Sequence, residues 1–515
     1  MKELNEYKAE IYRRSEERNT RKKIARRRTA TLCIVLALCI SLGAVAVFNF
    51  SSGNERSGAL PVDLQNTSAT YAGTSDTDGA NTSGPQYTYG HLQNGTEPDG
   101  ATVPVSTSAP NSGEMITVNN NGLSTDLMEG ISSNREVKDV DVSSAAAKLT
   151  DFAVRLFKQA NKKGESTLVS PLSVITALAM TANGAEGETL KQMEKVFGMD
   201  IDTLNEVLSA YCEMLPQGNK YKLDIANAIW FKTDDKFSVN KNFLQKNADW
   251  YGAGLYAAPF NDQTLEEINA WVKINTRGMI EEILDQIPPD AVMYLVNALA
   301  FQAEWNEVYD ERHVGERDFT LEDGTAKETE FMFSQEGLYL NDGSAEGFIK
   351  YYKDKKYAFA ALLPNEGVRL SDYVDSLTGE KLYTLLSNAQ KEKVNAAIPK
   401  FKSETSLELS DVLKKMGMPA SFDGNISDFG GIGSYENANL YISRVLHKTF
   451  IEVAEQGTKA GAATAVEISN VTSAGPMDPK QVYLDRPFVY MLIDCETNTP
   501  FFIGTLTDIE QSEAN

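Results

Sequence analysis

Residues Glu455 to Ile468, reading EQGTKAGAATAVEI, are almost bare of bulk yet carry a hidden period of two. Thr458, Ala460, Ala462, Thr464, Val466 and Ile468 fall on one side of an extended chain; Lys459, Gly461, Ala463, Glu467 and Ser469 fall mostly on the other. Successive side chains of a β-strand point to opposite faces, so this segment is patterned to lie in a sheet with one face buried. Two runs of strand composition bracket it, Ile442 to Val453 before and Tyr483 to Asp494 after. A plain Gly/Ala linker has no use for Val466 and Ile468 in phase with the small residues. Such a pattern belongs to a loop that enters a sheet at some stage, with Thr458 to Ile468 exposed before that event and buried after it.

The rest of the chain must supply the sheet. Ala145 to Lys158 places Leu149, Phe152, Ala153, Leu156 and Phe157 at helical spacing. Leu223–Phe231 and Val292–Phe301 read as strands, Leu265–Thr276 and Leu407–Met416 as helices. Tyr351-Tyr352 and Tyr357–Leu363 flank a charged LysAspLysLys tip and predict a hairpin. Helical and strand patterns mix without a repeating βαβ unit or an internal repeat. The expected class is α+β, one large domain of mixed β-sheets and surrounding helices over residues 143–510.

Several blocks resemble the serpin family, in that family's order along the chain. GTKAGAAT at 457–464 resembles the hinge of its reactive loop. VSPLSV at 169–174 and ALAMTANGAEGET at 177–189 resemble its second helix and the turn after it, with Ser173 expected as the helix cap. LDIANAIWF at 223–231 resembles an early strand of its main sheet, and LVNALAFQAEW at 295–305 the central strand that ends at Trp305, the breach where the loop begins to insert. IPKFKSETSLEL at 398–409, LKKMGM at 413–418, RPFVYMLID at 486–494 and PFFIGTL at 500–506 complete the resemblance.

A Ser and His in one chain invite a catalytic reading. There is no G-x-S-x-G elbow and no acid partner at a family spacing. The resemblance instead implies that Ser170, Ser173, Asn297 and His447 form the shutter, a buried polar network where strands of the main sheet part. Left unpaired there, each would cost about 1–3 kcal/mol. No metal-ligand, EF-hand or phosphate-loop motif is present, so no cofactor or metal is expected, and the chain is not read as an enzyme.

What the resemblance implies is an inhibitor of the suicide-substrate type. A serine protease attacks the exposed loop, forms an acyl-enzyme, and is trapped when the loop inserts before hydrolysis. Glu455, Gly457, Thr458, Ala460, Ala462 and Thr464 make up the hinge. Lys459 stands where the family has Glu, on the outward phase. Counting the family's hinge length from Gly457 sets the attacked bond at Val471–Thr472; the length of residues 472–482 leaves Ser473 and Met477 as alternatives. The small, β-branched Val471 suits a narrow apolar pocket of the elastase type. The other reading is a non-inhibitory surface binding module with the same fold.

The N-terminus sets the location. Thr29 to Phe48 is an uncharged, mostly apolar run of 20 residues. At 1.5 Å per residue it matches the roughly 30 Å hydrocarbon core of a bilayer. Residues 1–28 carry 11 Lys/Arg against 5 Asp/Glu, predicting a cytoplasmic tail, a transmembrane signal-anchor at 29–50 and an extracellular remainder. Ala44-Val45-Ala46 offers a signal cleavage site as the alternative, which would make the protein secreted. Residues 51–142, rich in Ser, Thr, Gly and Asn, read as a disordered linker. The chain's net charge is −23 and the tail's is +6, so residues 29–515 carry −29 and nucleic acid is not an expected partner. Only Cys212 and Cys495 lie beyond the apolar run, too few for a disulfide framework. The chain is expected to act as a monomer.

Overall fold

The computed structural model describes residues 114–118, 122–135, 140–215, 221–233, 237–435, 439–458 and 478–509. The tail at 1–28, the apolar run at 29–50 and the linker up to 113 lie outside the described residues. Among the described residues, no helix is long and apolar enough to cross a membrane.

The largest sheet has seven described strands. In order they are β14 (Phe401–Glu408), β16 (Arg444–Ala454), β17 (Gly457–Thr458), β7 (Met293–Glu304), β4 (Tyr221–Lys232), β6 (Gly254–Ala258) and β2 (Thr125–Asp126). A six-stranded antiparallel sheet runs β10 (Tyr339–Asn341), β11 (Ala345–Tyr351), β12 (Tyr357–Pro364), β19 (Phe488–Asp494), β20 (Pro500–Leu506), β3 (Thr167–Val169). A third joins β18 (Lys480–Tyr483), β13 (Val394–Pro399), β9 (Ala326–Glu336) and β8 (Val314–Thr320). The last is small: β1 (Met115–Thr117), β5 (Ser238–Asn240) and β15 (Gly433–Ser434). The helices are α1 (Ala146–Ala160), α2 (Pro171–Ala182), α3 (Gly187–Phe197), α4 (Ile201–Met214), α5 (Lys241–Trp250), α6 (Asp262–Asn275), α7 (Leu370–Ser376), α8 (Gly379–Ser387) and α9 (Ser410–Met416). This is the α+β architecture expected.

Strand β7 explains its own sequence. Residues 293–303 are almost unbrokenly apolar and buried because both faces of the sheet are covered. On one face lies α2, every residue of which is buried. On the other lies α6, whose Ile268, Trp271 and Val272 pack with Ala226, Ala228 and Trp230 of β4, Val296 and Ala298 of β7, and Leu446 of β16.

Four expectations are corrected. Ser170, not Ser173, caps α2: its side chain accepts from the Ser173 amide, and Pro171 occupies the first helical position, where a missing N–H costs nothing. Leu407 and Glu408 belong to β14, because pairing with β16 outcompetes the helix until Ser410. The run from Tyr483 to Asp494 is divided between two strands in different sheets, with residues 484–487 between them. Finally, the linker does not extend to 142. Residues 115–117 pair with β5, residues 125–126 extend the main sheet beside β6, and Val118 and Met128 are buried. Arg135 stacks 4.3 Å over the Trp250 ring. Strands of two or three residues are too short to show a period, which is why this docking was hidden in a polar composition.

Candidate functional site: the mouth and seam of the main sheet

Strands β16 and β7 run parallel and pair directly from Arg444↔Tyr294 to Phe450↔Ala300. Above Phe450 they separate. The chain turns at Glu455-Gln456 and comes back as β17, antiparallel to both neighbours: Val453↔Thr458 on one side and Ala303↔Thr458 on the other. Gly457–Thr458 is thus a wedge held in the mouth of a seam that is closed below it.

Each wedge residue has a specific reason to be what it is. Gly457 has φ of 144°, and a Cβ there would lie 1.9 Å from the Ala303 carbonyl oxygen. No other residue fits that backbone so close to β7. Thr458 is fully buried, its hydroxyl 2.6 Å from the Tyr352 hydroxyl. The expectation that Thr458 is exposed in the intact protein is therefore overturned; its inward phase is as expected. Glu455 pairs with Lys400, which also reaches Glu330 at 2.8 Å.

Trp305 closes the mouth. Its indole N–H donates to the Ala454 carbonyl at 2.8 Å and its amide to the Gln456 carbonyl at 3.0 Å. Its ring stacks on Tyr352 with centroids 4.5 Å apart. Nearby sits Lys350, 3% exposed, with Nζ 3.0 Å from Glu336 and 4.4 Å from the Tyr309 ring centroid. An ammonium buried that deeply needs both the carboxylate and the ring faces. Sequence reasoning missed Lys350 and Tyr352 as site residues; the available signal was a lone Lys inside the apolar run at 348–352.

Lower down, four residues predicted for the shutter come together with a fifth. Asn227, Asn297 and His447 stand side by side on β4, β7 and β16. The Ser170 amide donates to His447 Nε2 at 3.0 Å, and His447 Nδ1 meets Asn297 Oδ1. Since Nε2 accepts, Nδ1 carries the proton and donates. Ser173 Oγ donates to Asn227 Oδ1 at 3.0 Å, and Asn227 Nδ2 to the Ser173 carbonyl at 3.3 Å. Burial pushes the His447 imidazole down to about 3, so it is neutral. This geometry removes the catalytic reading. Nε2 faces a backbone N–H rather than a hydroxyl, and both Ser170 and His447 are fully buried. Asn227 was missed, although a lone Asn within LDIANAIWF marks it just as Asn297 is marked within LVNALAF.

Ala460, Ala462, Thr464 and the Val471–Thr472 bond lie outside the described residues. Beyond them β18 pairs in parallel with β13, so the loop's two anchors, β17 and β18, lie in different sheets. Among the described residues no cluster of side chains is arranged to hold a metal ion.

A family model described as serpin (serine protease inhibitor) matches residues 147–509. Human serpin B8 is 33% identical over 369 residues, 68% of this chain and 96% of its own length. A serpin-like protein of Thermococcus kodakarensis is 30% identical over 365 residues, 70% of this chain and 84% of its own. Among solved structures, the thermophilic serpin tengpin in its native state is 44% identical, with a TM-score of 0.72 over 75% of this chain and 100% of that one. This chain belongs to the serpin family.

Proposed function

We propose that this serpin is a suicide-substrate inhibitor of an elastase-like serine protease, cut at Val471–Thr472. The observation that carries the reading is the wedge: Gly457–Thr458 already occupies the first two places of a strand whose remaining places lie along the β16–β7 seam. Continuing that register sets Ala460 against Phe301, Ala462 against Leu299, Thr464 between Asn297 and His447, and Glu467 between Tyr294 and Arg444. Small residues would slide past the seam's apolar core, and Thr464 would bring a hydroxyl to the one polar row. A protease joined to Val471 by an ester would be carried along as the strand zips down. Trapping succeeds when insertion outruns hydrolysis of that ester.

Mixing the protein with an elastase-type serine protease should give a complex that survives denaturation, and a released peptide that begins at Thr472. A peptide beginning near Ser473 or Met477 moves the bond. Turnover of the loop by serine proteases without any stable complex overturns the proposal.

For location, the reading is a single-pass membrane protein with residues 1–28 inside and the inhibitory domain outside. The basic tail and the apolar run support it. Protease added to intact cells should release a fragment containing the domain; protection until lysis would reverse the orientation.

A further inference from the structure

Four described non-glycine residues have positive φ: Phe260, Arg277, Lys355 and Asn498. Phe260, at 55°, is the one that is both bulky and buried. A bulky side chain in the left-handed region crowds its own carbonyl, so packing must hold it there. The Phe260 ring lies against Tyr294, centroids 5.1 Å apart. Tyr294 opens the paired seam opposite Arg444.

Position makes this joint consequential. It joins the end of β6 to α6, the helix covering the seam. Pro259 on one side has a fixed φ, and Asn261 on the other is locked as the helix cap by a reciprocal bond with Thr264. Rotation of α6 is thereby concentrated at Phe260. The helix moves with the segment that follows it, because Asn269 bonds the Ile283 and Leu284 amides at 2.9 and 3.1 Å and the Leu284 carbonyl at 2.8 Å. Arg277, also left-handed, lies within that tied unit.

Inserting a strand between Val296 and Leu446 moves them from neighbours to about 10 Å apart. Both belong to the surface on which α6 rests. The helix must therefore be reseated as the strand reaches the far end. Resting on the loop insertion proposed above, we propose that Phe260 is a sprung joint. The seating of α6 on the closed seam, with Tyr294 against the ring, holds it in the left-handed conformation. Parting β7 from β16 releases it, and the relief of backbone crowding drives α6 aside.

The test uses the full chain and a synthetic peptide with the sequence of residues 459–468, offered as the missing part of the strand. Its insertion is followed by intrinsic fluorescence, since Trp271 on α6 donates to the Tyr256 hydroxyl of β6 at 3.0 Å. Phe260→Gly and Phe260→Ala remove the same ring, but only Ala keeps the crowding. The Gly variant should take up peptide about fivefold more slowly than the Ala variant. Arg277→Gly and Arg277→Ala should not differ. Equal rates for the Phe260 pair, a faster Gly variant, or an equal effect at Arg277 overturns the joint. If the Phe260 variants do not fold, hydrogen exchange on the unaltered protein decides: uptake over residues 256–262 should rise on peptide insertion, and unchanged uptake refutes the joint. Failure of the peptide to enter the unaltered protein would instead sink loop insertion itself, and the joint with it.

Discussion

Gly457 and His447 show how single residues set the state of the seam. Gly457→Ala would press a Cβ onto the Ala303 carbonyl and demand a backbone that only glycine adopts readily, at a cost of about 2 kcal/mol or more. The wedge should leave the mouth, seen as a red shift of Trp305 fluorescence and a lower thermal midpoint. His447 gives a pH signature. Its folded-state value of about 3 lies below the ordinary 6.5, so the unfolded chain binds the extra proton and stability falls as pH drops below 6.5. Burial also pushes the Glu267 and Asp494 carboxyls up, and both titrate alike in the unaltered protein and in His447→Gln, so denaturant titrations of the pair isolate the imidazole's contribution. Between about pH 7.5 and 4.5 the unaltered protein should lose about 2–3 kcal/mol more than the variant. Parallel pH profiles would mean that His447 is not buried as a neutral ring.

Strand pairing decides how the loop enters. If the register of β17 continues, Glu467 arrives between Arg444 and Tyr294, on the face of the sheet that α6 covers. Glu467→Lys and Arg444→Glu should each slow insertion and raise the inhibitor-to-protease ratio needed for full trapping. The charge-swapped double variant should recover, with a coupling of about 0.5–3 kcal/mol. Additive losses would mean a different register. The elements that sequence reading recovered are those whose period outlasts several residues: β4, β7, α1, α6 and the β11–β12 hairpin. The inward phase of Thr458 was legible for the same reason, but its burial before cleavage was not. That depends on Tyr352, 106 positions away, and on an opening between β16 and β7 that no local pattern records. Asn227, Lys350 and the split before β19 were likewise decided by partners remote in sequence.

At the scale of the molecule, residues 114–118 and 122–135 belong to the folded unit. A chain beginning at Val140 should be less stable than one beginning at Glu114. Deleting the buried Val118 and Met128 alone forfeits about 3–6 kcal/mol of gross burial energy. Equal thermal midpoints would show that the segment contributes nothing. The larger balance lies in the seam. Parting β16 from β7 exchanges one parallel pairing for two antiparallel ones, each added hydrogen bond contributing about 1 kcal/mol net. Burying Val466 and Ile468 adds roughly 1.5–3 kcal/mol apiece, and ordering the loop offsets part of the gain. Gains of that size rival a whole domain's stability of about 5–15 kcal/mol, so cutting this loop should stabilise the protein where nicking an ordinary loop would not. Calorimetry on intact and loop-cleaved protein measures this directly. The account predicts a markedly higher midpoint after cleavage near Val471; an equal or lower midpoint would show that the loop does not enter the seam, and would contradict it.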